Sequence, residues 1–503
     1  MKRKQTFIAN TILLTAVTLM LRAVGVSFHV YIANKIGAAG MGLFSLIMSV
    51  YGFGVTFACS GIQLATTKIV SEELAIGAQR GVRRAIKKSC IYALTFGGGA
   101  FLLIFFGAHF AGTVILNDTR TILALQILSI SLPCVALSSV ASGYFNAVGR
   151  VYKSAVSQIV EQLLRVGGCV WLLSIFGTEH AQTACNMVVI SGCAAEVLSF
   201  IFIFILLKVD IKQYQNKREG EHITGRMLSI ALPIAVSSYV RSGLSTLEHT
   251  MIPRGLRKYG GDKETALSAY GVVHGMVMPL IFFPSAVLQA FSTLLIPEIS
   301  GYFKLGDTEK IQRFIERALY LTLVFSIGAS GVLFFFAEEI GMIVYHNSDA
   351  ALLLHRLAPL AAIMYLDGVV DAILKGLNQQ VYSMGYNIAD SIIAIILMIY
   401  LLPAKGIDGY VLILYITEMV NAYLSINRLL KVAEFRIFPV RWTLLPAIAI
   451  LSSIYFVKSF GIFQRAEYAF FAICASVFLY TIIIYMFSCN HTRKTQVAKR
   501  LLI

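Results

Sequence analysis

Apolar segments long enough to cross a lipid bilayer recur from one end of this chain to the other, and no other feature limits its fold as strongly. Stretches such as "VLSFIFIFILL" and "YAFFAICASVFLYTIIIYMF" contain no charged residue. A bilayer crossing needs about 20 apolar residues. A soluble chain of 503 residues would instead show amphipathic helices with long polar faces. We therefore predict an all-α, polytopic membrane protein.

The apolar segments predict about fourteen transmembrane helices. Proline and glycine interrupt several of them, as in "SLPCVAL" and "FFPSAV", which membrane helices tolerate. The segments fall at residues 6–33, 40–69, 83–112, 119–146, 151–177, 182–208, 223–254, 265–297, 310–337, 352–378, 381–403, 407–430, 442–460 and 465–488.

The chain has a net charge of +16, and its lysine and arginine residues gather in alternate loops between these segments. This distribution follows the positive-inside rule and predicts that both chain ends are cytoplasmic. It favours a multi-pass protein of the plasma membrane over a nucleic-acid-binding protein. One predicted outer loop breaks the rule, because residues 254–263 within "PRGLRKYGGDKETA" carry four basic residues. Either a helix extends beyond the membrane there, or the loop binds an acidic ligand.

The two halves of the chain show a weak internal repeat. Arg22 lies in the first segment and Arg241 in the seventh, and each is followed by a long apolar segment and then a charged loop. Farther along, "GYFNAVGRVYKSAVSQI" matches "AILKGLNQQVYSMGYNI". Two repeats of six helices place a substrate route at their interface. The predicted parts are an N-terminal lobe at 1–208, a cytoplasmic linker at 209–222, a C-terminal lobe at 223–436, and two further helices with a basic cytoplasmic tail at 437–503.

The plan of six, six and two helices, the arginine of helix 1 and "SQIVEQLLRV" in helix 5 resemble the multidrug/oligosaccharidyl-lipid/polysaccharide exporter superfamily. The chain is most similar to its polysaccharide biosynthesis and stage V sporulation protein B branch, which is related to lipid II flippases. The resemblance implies two lobes around a V-shaped central cavity. It also implies a bacterial flippase that moves undecaprenyl-pyrophosphate-linked oligosaccharide, a peptidoglycan precursor or related envelope glycan, across the cytoplasmic membrane by alternating access. The expected partners are this substrate and membrane lipids, and we expect a monomer.

Arg22 and Arg241 are the strongest candidates for substrate binding. An arginine at the centre of a membrane helix costs about 2.5–3.5 kcal/mol and is therefore unlikely to face lipid. Its planar, permanently charged guanidinium can bind phosphate oxygens in pairs. The two arginines could together hold a diphosphate, and His29 lies about two turns after Arg22 on the same helix face. Alternatively, each arginine pairs with a buried acid such as Glu196 or Glu248.

Three further polar residues are substrate-site candidates. Glu161 and Arg165 stand four residues apart with the acid first, which favours an ion pair on one helix. Mutual neutralisation is the favoured role, and lining of the cavity is the alternative. His274 either lines the cavity or is a buried neutral imidazole, and Lys375 is predicted at the membrane boundary.

Acidic and amide side chains of the second half predict coupling to an ion. Asp367 and Asp371 share one helix face and would repel each other if both were ionised, so a shared cation or proton would relieve them. The resemblance also implies a sodium site, which Glu248, Asn387 and Asp390 match only roughly. The alternatives are pairing of these acids with arginine and transport driven by membrane potential alone.

Other functions fit the sequence less well. A cation-coupled multidrug antiporter of the same superfamily would need acids rather than arginines to meet its substrate. A membrane enzyme is not expected, because the chain lacks an Asp-x-Asp motif, a nucleotide-binding loop and a large soluble domain, and no cofactor motif is present. A non-transporting scaffold for envelope assembly stays open.

Overall fold

The computed structural model describes residues 2–75, 79–176, 181–212, 223–433, 435, 438, 440–460 and 468–501. Across these ranges the chain is almost entirely helical and contains no β-strand. The predicted all-α class is therefore confirmed. Most of the predicted linker, residues 213–222, lies outside the described residues.

Twelve helices in the described ranges are long and apolar enough to cross a membrane. Two of them, Ala16–Ala75 and Gln380–Val432, are 60 and 53 residues long, far more than the roughly 20 that one crossing needs. Each contains a non-helical glycine with positive φ, Gly37 at 70° and Gly406 at 57°, a conformation that favours glycine. Both glycines lie where the sequence predicts a loop between two segments. The number of fourteen crossings and the V-shaped arrangement stay predictions.

The first of two compact units comprises the described residues within 1–275 and 391–407. Its apolar helices bury small side chains such as Ala65, Ala124 and Ala141 completely, which allows close helix packing. Its helices are α1 (Lys2–Cys59), α2 (Ile62–Ala75), α3 (Gln79–Phe110), α4 (Thr121–Ser129), α5 (Leu132–Ala147), α6 (Val151–Phe176), α7 (Ala181–Ile211), α8 (Ile223–Lys258) and α9 (Lys263–Gly271). A π-helical segment, Val272–Val277, follows α9.

Within this unit, α8 packs antiparallel along the second half of α1 and along α2. Contacts that come later on α8 reach earlier positions on α1, which establishes the direction. Arg226 Nη1 donates to Glu73 Oε1 at 2.8 Å, the Tyr239 hydroxyl donates to the Phe57 carbonyl at 3.1 Å, and Thr246 Oγ1 donates to the Ser49 carbonyl at 3.1 Å. The predicted lobe boundaries stay predictions. The compact units are defined by contacts in space, whereas the lobes are defined by the internal sequence repeat, so the two divisions do not test each other.

The second unit comprises the described residues within 276–390 and 408–503. A core that includes Phe336, Ile450, Ile454 and Tyr480 packs the two additional C-terminal helices against the helix Thr308–Phe335. The Tyr480 hydroxyl donates to the Val324 carbonyl of that helix at 2.6 Å. The helices of the second half of the chain are α10 (Met278–Leu305), α11 (Thr308–Phe335), α12 (Ala337–Tyr345), α13 (Ser348–Gly376), α14 (Gln380–Val432), α15 (Leu445–Ser459) and α16 (Ala469–Leu501). Residues 391–407 of α14 belong to the first unit.

Candidate functional site

The first unit contains a cavity of about 410 Å³ among its membrane-crossing helices. On α1, lining residues recur at helical spacing, as Gly25, Phe28, His29 and Ile32 do, so one face of the helix borders the space. Apolar side chains form much of the wall. The polar lining residues are His29, Ser45, Ser49, Tyr51, Gln162, Arg165, Glu196, His249, Tyr270 and His274.

Arg165 is held between two carboxylates at this cavity. Its Nη2 lies 2.7 Å from Glu161 Oε1 and 3.2 Å from Glu196 Oε1. Glu196 also accepts a hydrogen bond from the Tyr51 hydroxyl, which lies 2.8 Å from Ser131 Oγ. The Glu161–Arg165 pair predicted from the sequence is thus present, and Arg165 also lines the cavity. With all three groups ionised, the carboxylates outnumber the arginine.

Three aromatic polar side chains form a second cluster in the cavity wall. The His249 and His274 rings lie 4.7 Å apart between centroids, and Tyr270 lies 4.8 Å from His274. The Tyr270 hydroxyl and His249 Nδ1 are 3.0 Å apart and hydrogen-bonded. His274 lies in the π-helical segment, a backbone form that often occurs at functional sites. On α1, the Nδ1 of His29 is buried and has no hydrogen-bond partner among the described residues.

The structure gathers some of the predicted substrate residues but not others. His29, Arg165 and His274 line the cavity, whereas Arg22 and Arg241 are not among its lining residues. Arg22 is half-buried on α1, seven residues before His29, and Arg241 is exposed on α8, eight residues before His249. At 1.5 Å per residue, each arginine lies about 10–12 Å along its helix from the histidine that borders the cavity.

Three residues of this site, His249, Tyr270 and Tyr51, are not predicted from the sequence. The spacing of Tyr270 and His274 is a usable signal, because residues four apart share a helix face. Tyr51 offers no such signal, since its partner Glu196 lies on a different helix.

The predicted coupling residues of the second unit have two kinds of partner. Asp371 Oδ2 lies 2.6 Å from Lys375 Nζ, and its other oxygen accepts a hydrogen bond from Ser383. Asp367 Oδ2 instead accepts a hydrogen bond from Asn421 Nδ2 at 2.9 Å. Although Asp367 and Asp371 are four residues apart, a cation neutralises only one of them. Lys375, predicted at the membrane boundary, is that cation.

Three buried oxygens in this acidic region have no hydrogen-bond partner in the part of the chain that the structure describes: Oδ1 of Asp367, Oδ1 of Asp390 and Oδ1 of Asn421. Asn387 donates to the Ser383 carbonyl at 2.8 Å. Glu248 belongs to the first unit and Asn387 with Asp390 to the second, and the sodium site predicted from these three stays a proposal. Among the described residues, no group of three or more His, Cys, Asp or Glu side chains is arranged to hold a metal ion.

Comparisons of sequence identify relatives along the whole chain. The family described as polysaccharide biosynthesis protein matches residues 7–303, more than half of the chain. Stage V sporulation protein B of Bacillus subtilis is 26% identical and is covered to 99%, as is this chain. Lipid II flippase MurJ of Bacillus subtilis is 24% identical over 83% of this chain and 82% of its own length.

Solved structures show the same fold. Lipid II flippase MurJ in an inward closed conformation has a TM-score of 0.74 at 15% identity, covering 96% of this chain and 100% of that chain. A multidrug resistance MATE family transporter of the MOP superfamily, in an inward-facing conformation, has a TM-score of 0.61 at 12% identity, covering 83% and 98%. The fold is therefore that of MOP superfamily transporters. Within that class, the chain belongs to the polysaccharide biosynthesis protein family, in its stage V sporulation protein B-like branch.

Proposed function

We propose that this protein is a flippase that carries lipid-linked oligosaccharides across the bacterial cytoplasmic membrane by alternating access. The observation that carries the proposal is the cavity among membrane-crossing helices of the first unit, whose partly apolar wall also carries ten polar side chains. Its size of about 410 Å³ is within the range of small-ligand sites. The relatedness to lipid II flippase MurJ supports an undecaprenyl-pyrophosphate-linked substrate, such as a peptidoglycan precursor.

The charges suggest how such a substrate would lie. Arg165 is already matched by Glu161 and Glu196, so it is poorly suited to be the main anchor of a diphosphate. Arg22 and Arg241, like Arg165, lie near the middle of predicted membrane segments. Each precedes a cavity-lining histidine of its own helix by about two helical turns. We assign the diphosphate to these two guanidiniums and the sugar to the cavity, whose hydroxyl, amide and imidazole groups suit sugar hydroxyls.

The second unit is the proposed place of energy coupling. A sodium ion or proton at Asp367 and Asp390 would satisfy buried carboxylate oxygens that have no hydrogen-bond partner. Binding there would stabilise one conformation of the transporter over another, and membrane potential is the alternative driving force.

A cation-coupled multidrug antiporter is the second candidate. One observation favours it. At the cavity two carboxylates pair with a single arginine, so the three ionised groups carry a net negative charge, which would attract a cationic substrate. A scaffold in envelope assembly would need neither a substrate nor a coupling ion.

Transport by the purified full chain in proteoliposomes tests the proposal. Labelled lipid-linked precursor is the probe, and wild type is compared with Arg22→Ala/Arg241→Ala and with the exposed control Arg313→Ala. Two lost charged contacts should slow translocation at least about a hundredfold, whereas the control should transport normally. Circular dichroism and gel filtration check that the double variant folds.

Three outcomes would contradict the proposal. Normal translocation by the folded double variant would refute the diphosphate assignment. Export of cationic drugs without movement of lipid-linked sugar would favour the antiporter. Failure of folded wild type to move either class would favour the scaffold.

A further inference from the structure

A second cavity, of about 540 Å³, lies at the C-terminal end of α8 and shares no lining residue with the first. Arg254, Arg257 and Lys258 of α8 line it together with Asn117. These three cations belong to the predicted outer loop that breaks the positive-inside rule. The cavity is therefore lined by the basic loop whose charge the positive-inside rule does not explain.

No acid of the described residues neutralises the positive charge of this cavity. In the described ranges, no carboxylate oxygen forms an ion pair with Arg254, Arg257 or Lys258. The fourth basic residue of the loop, Lys263, lies 3.3 Å from Asp118, which also binds Arg120 at 2.8 Å. The nearby acid is thus already occupied, and three positive charges remain at the cavity.

Helix capping accounts for part of this arrangement. The Nη2 of Arg254 donates to the carbonyls of Val114 and Ile115, at the end of the helical segment that follows α3. The Asn117 amide faces the two Nη atoms of Arg257 at 3.2 and 3.3 Å, and only its oxygen can accept from them. These neutral acceptors orient the guanidiniums, and a helix C-terminus offers only about half a negative charge. Capping therefore leaves most of the positive charge unmatched.

The rest of the wall is apolar. Met251 of α8 and Met398, Ile399 and Pro403 of α14 line it. The two helices meet closely at Gly255, which also lines the cavity, because a Cβ there would lie 2.5 Å from Leu402 Cβ. A cavity with cations at the end of membrane-crossing helices and hydrocarbon along its side matches an amphiphile with an anionic head.

We propose that this cavity binds the phosphate-bearing headgroup of an anionic membrane lipid. Basic pockets between transmembrane helices are suited to such headgroups. Arg254 and Arg257 would bind phosphate oxygens and Lys258 would add charge, while the methionine and isoleucine side chains contact the first part of the lipid chain. This site is independent of the proposed transport function, so a failure of either leaves the other standing.

Lipid retention by the full chain in detergent, measured by native mass spectrometry, tests the site. Phosphatidylglycerol is the probe, phosphatidylcholine the neutral reference and inorganic phosphate the soluble competitor. Arg257→Gln/Lys258→Gln should weaken phosphatidylglycerol retention at least about tenfold and leave phosphatidylcholine unchanged. Arg254 is kept, because its hydrogen bonds hold the chain after α3. Ile399→Trp, which narrows the cavity without a charge change, should also weaken retention.

Lys405→Gln is the matched control, because Lys405 is exposed on α14 near Pro403 but does not line the cavity. Equal retention of the two lipids by wild type, or no effect of the double variant, would overturn the proposal. So would an equal loss in the control, which would show a general charge effect. Competition by inorganic phosphate at the lipid's own affinity would assign the cavity to a free anion instead.

Discussion

One charged site from each unit shows two different ways of holding a charge among membrane-crossing helices. In the first, Arg165 lies between Glu161 and Glu196, so fixed positive and negative charges meet in one network. In the second, Asp367 has a neutral amide, Asn421, as its partner. In a network of paired opposite charges, the protein's own side chains compensate one another, so no bound ion or proton is needed. An acid with a neutral partner can gain or lose a cation or proton, and this difference suggests a recognition role for the first unit and a coupling role for the second.

The largest expected effect comes from breaking the first network. Arg165→Gln leaves Glu161 and Glu196 without their cation, and we expect the free energy of unfolding to fall by about 2.5 kcal/mol, since breaking a partly buried network strands charge. Unfolding of the purified protein in detergent measures this. Glu309 and Arg313 in the second unit have the same spacing and residue types but are 82% and 72% exposed. Arg313→Gln should therefore cost less than about 0.5 kcal/mol. Equal losses in the two variants would remove the distinction.

A smaller effect is expected at Asp118, a charge-matched acid of the first unit outside the membrane-spanning helices. Burial raises the pKa of the Asp118 carboxyl, but hydrogen bonds from Arg120 and the charges of Arg120 and Lys263 outweigh it, so the pKa is lower than the ordinary 3.8. Asp118→Asn should cost about 2 kcal/mol of unfolding free energy at pH 7.

The sign of the pH dependence follows from the lowered pKa of Asp118. Its stabilising contribution is complete above the ordinary pKa of 3.8 and is lost as the pH falls through the lower folded value. Wild type and Asp118→Asn should therefore approach each other in stability below pH 3.8. A difference that stays constant down to acid pH would show that the ion pairs do not stabilise the fold.

The smallest effect on stability is expected in the second unit. Asp367→Asn keeps an oxygen that can accept from Asn421, so the free energy of unfolding should change by less than about 1 kcal/mol. Transport in proteoliposomes should nevertheless lose its response to an imposed sodium or proton gradient. Asp371→Asn, which removes the partner of Lys375, is the comparison variant. A full gradient response in Asp367→Asn would exclude Asp367 from coupling.

The sequence predicted what depends on local pattern. Apolar segment length was sufficient for the all-α membrane fold, and the spacing of Glu161 and Arg165 was sufficient for their ion pair. It did not predict that Glu196 joins this pair, or that His249 meets Tyr270 and His274. Those contacts join different helices, and the lateral packing of apolar helices depends on side-chain fit that periodicity does not encode. The unusual basic loop is visible in the sequence. The cavity that it lines could not be predicted, because residues of α14 form part of the wall and the sequence does not show where α14 packs.

Gly37 and Gly406 each join two long helical stretches through a single non-helical residue. Neighbouring Cα atoms across a trans peptide bond are fixed about 3.8 Å apart, so a junction of one residue cannot lengthen. Tilting one stretch must therefore displace the adjoining end of the next. Inserting a few flexible residues after either glycine would uncouple the two motions while leaving each stretch intact.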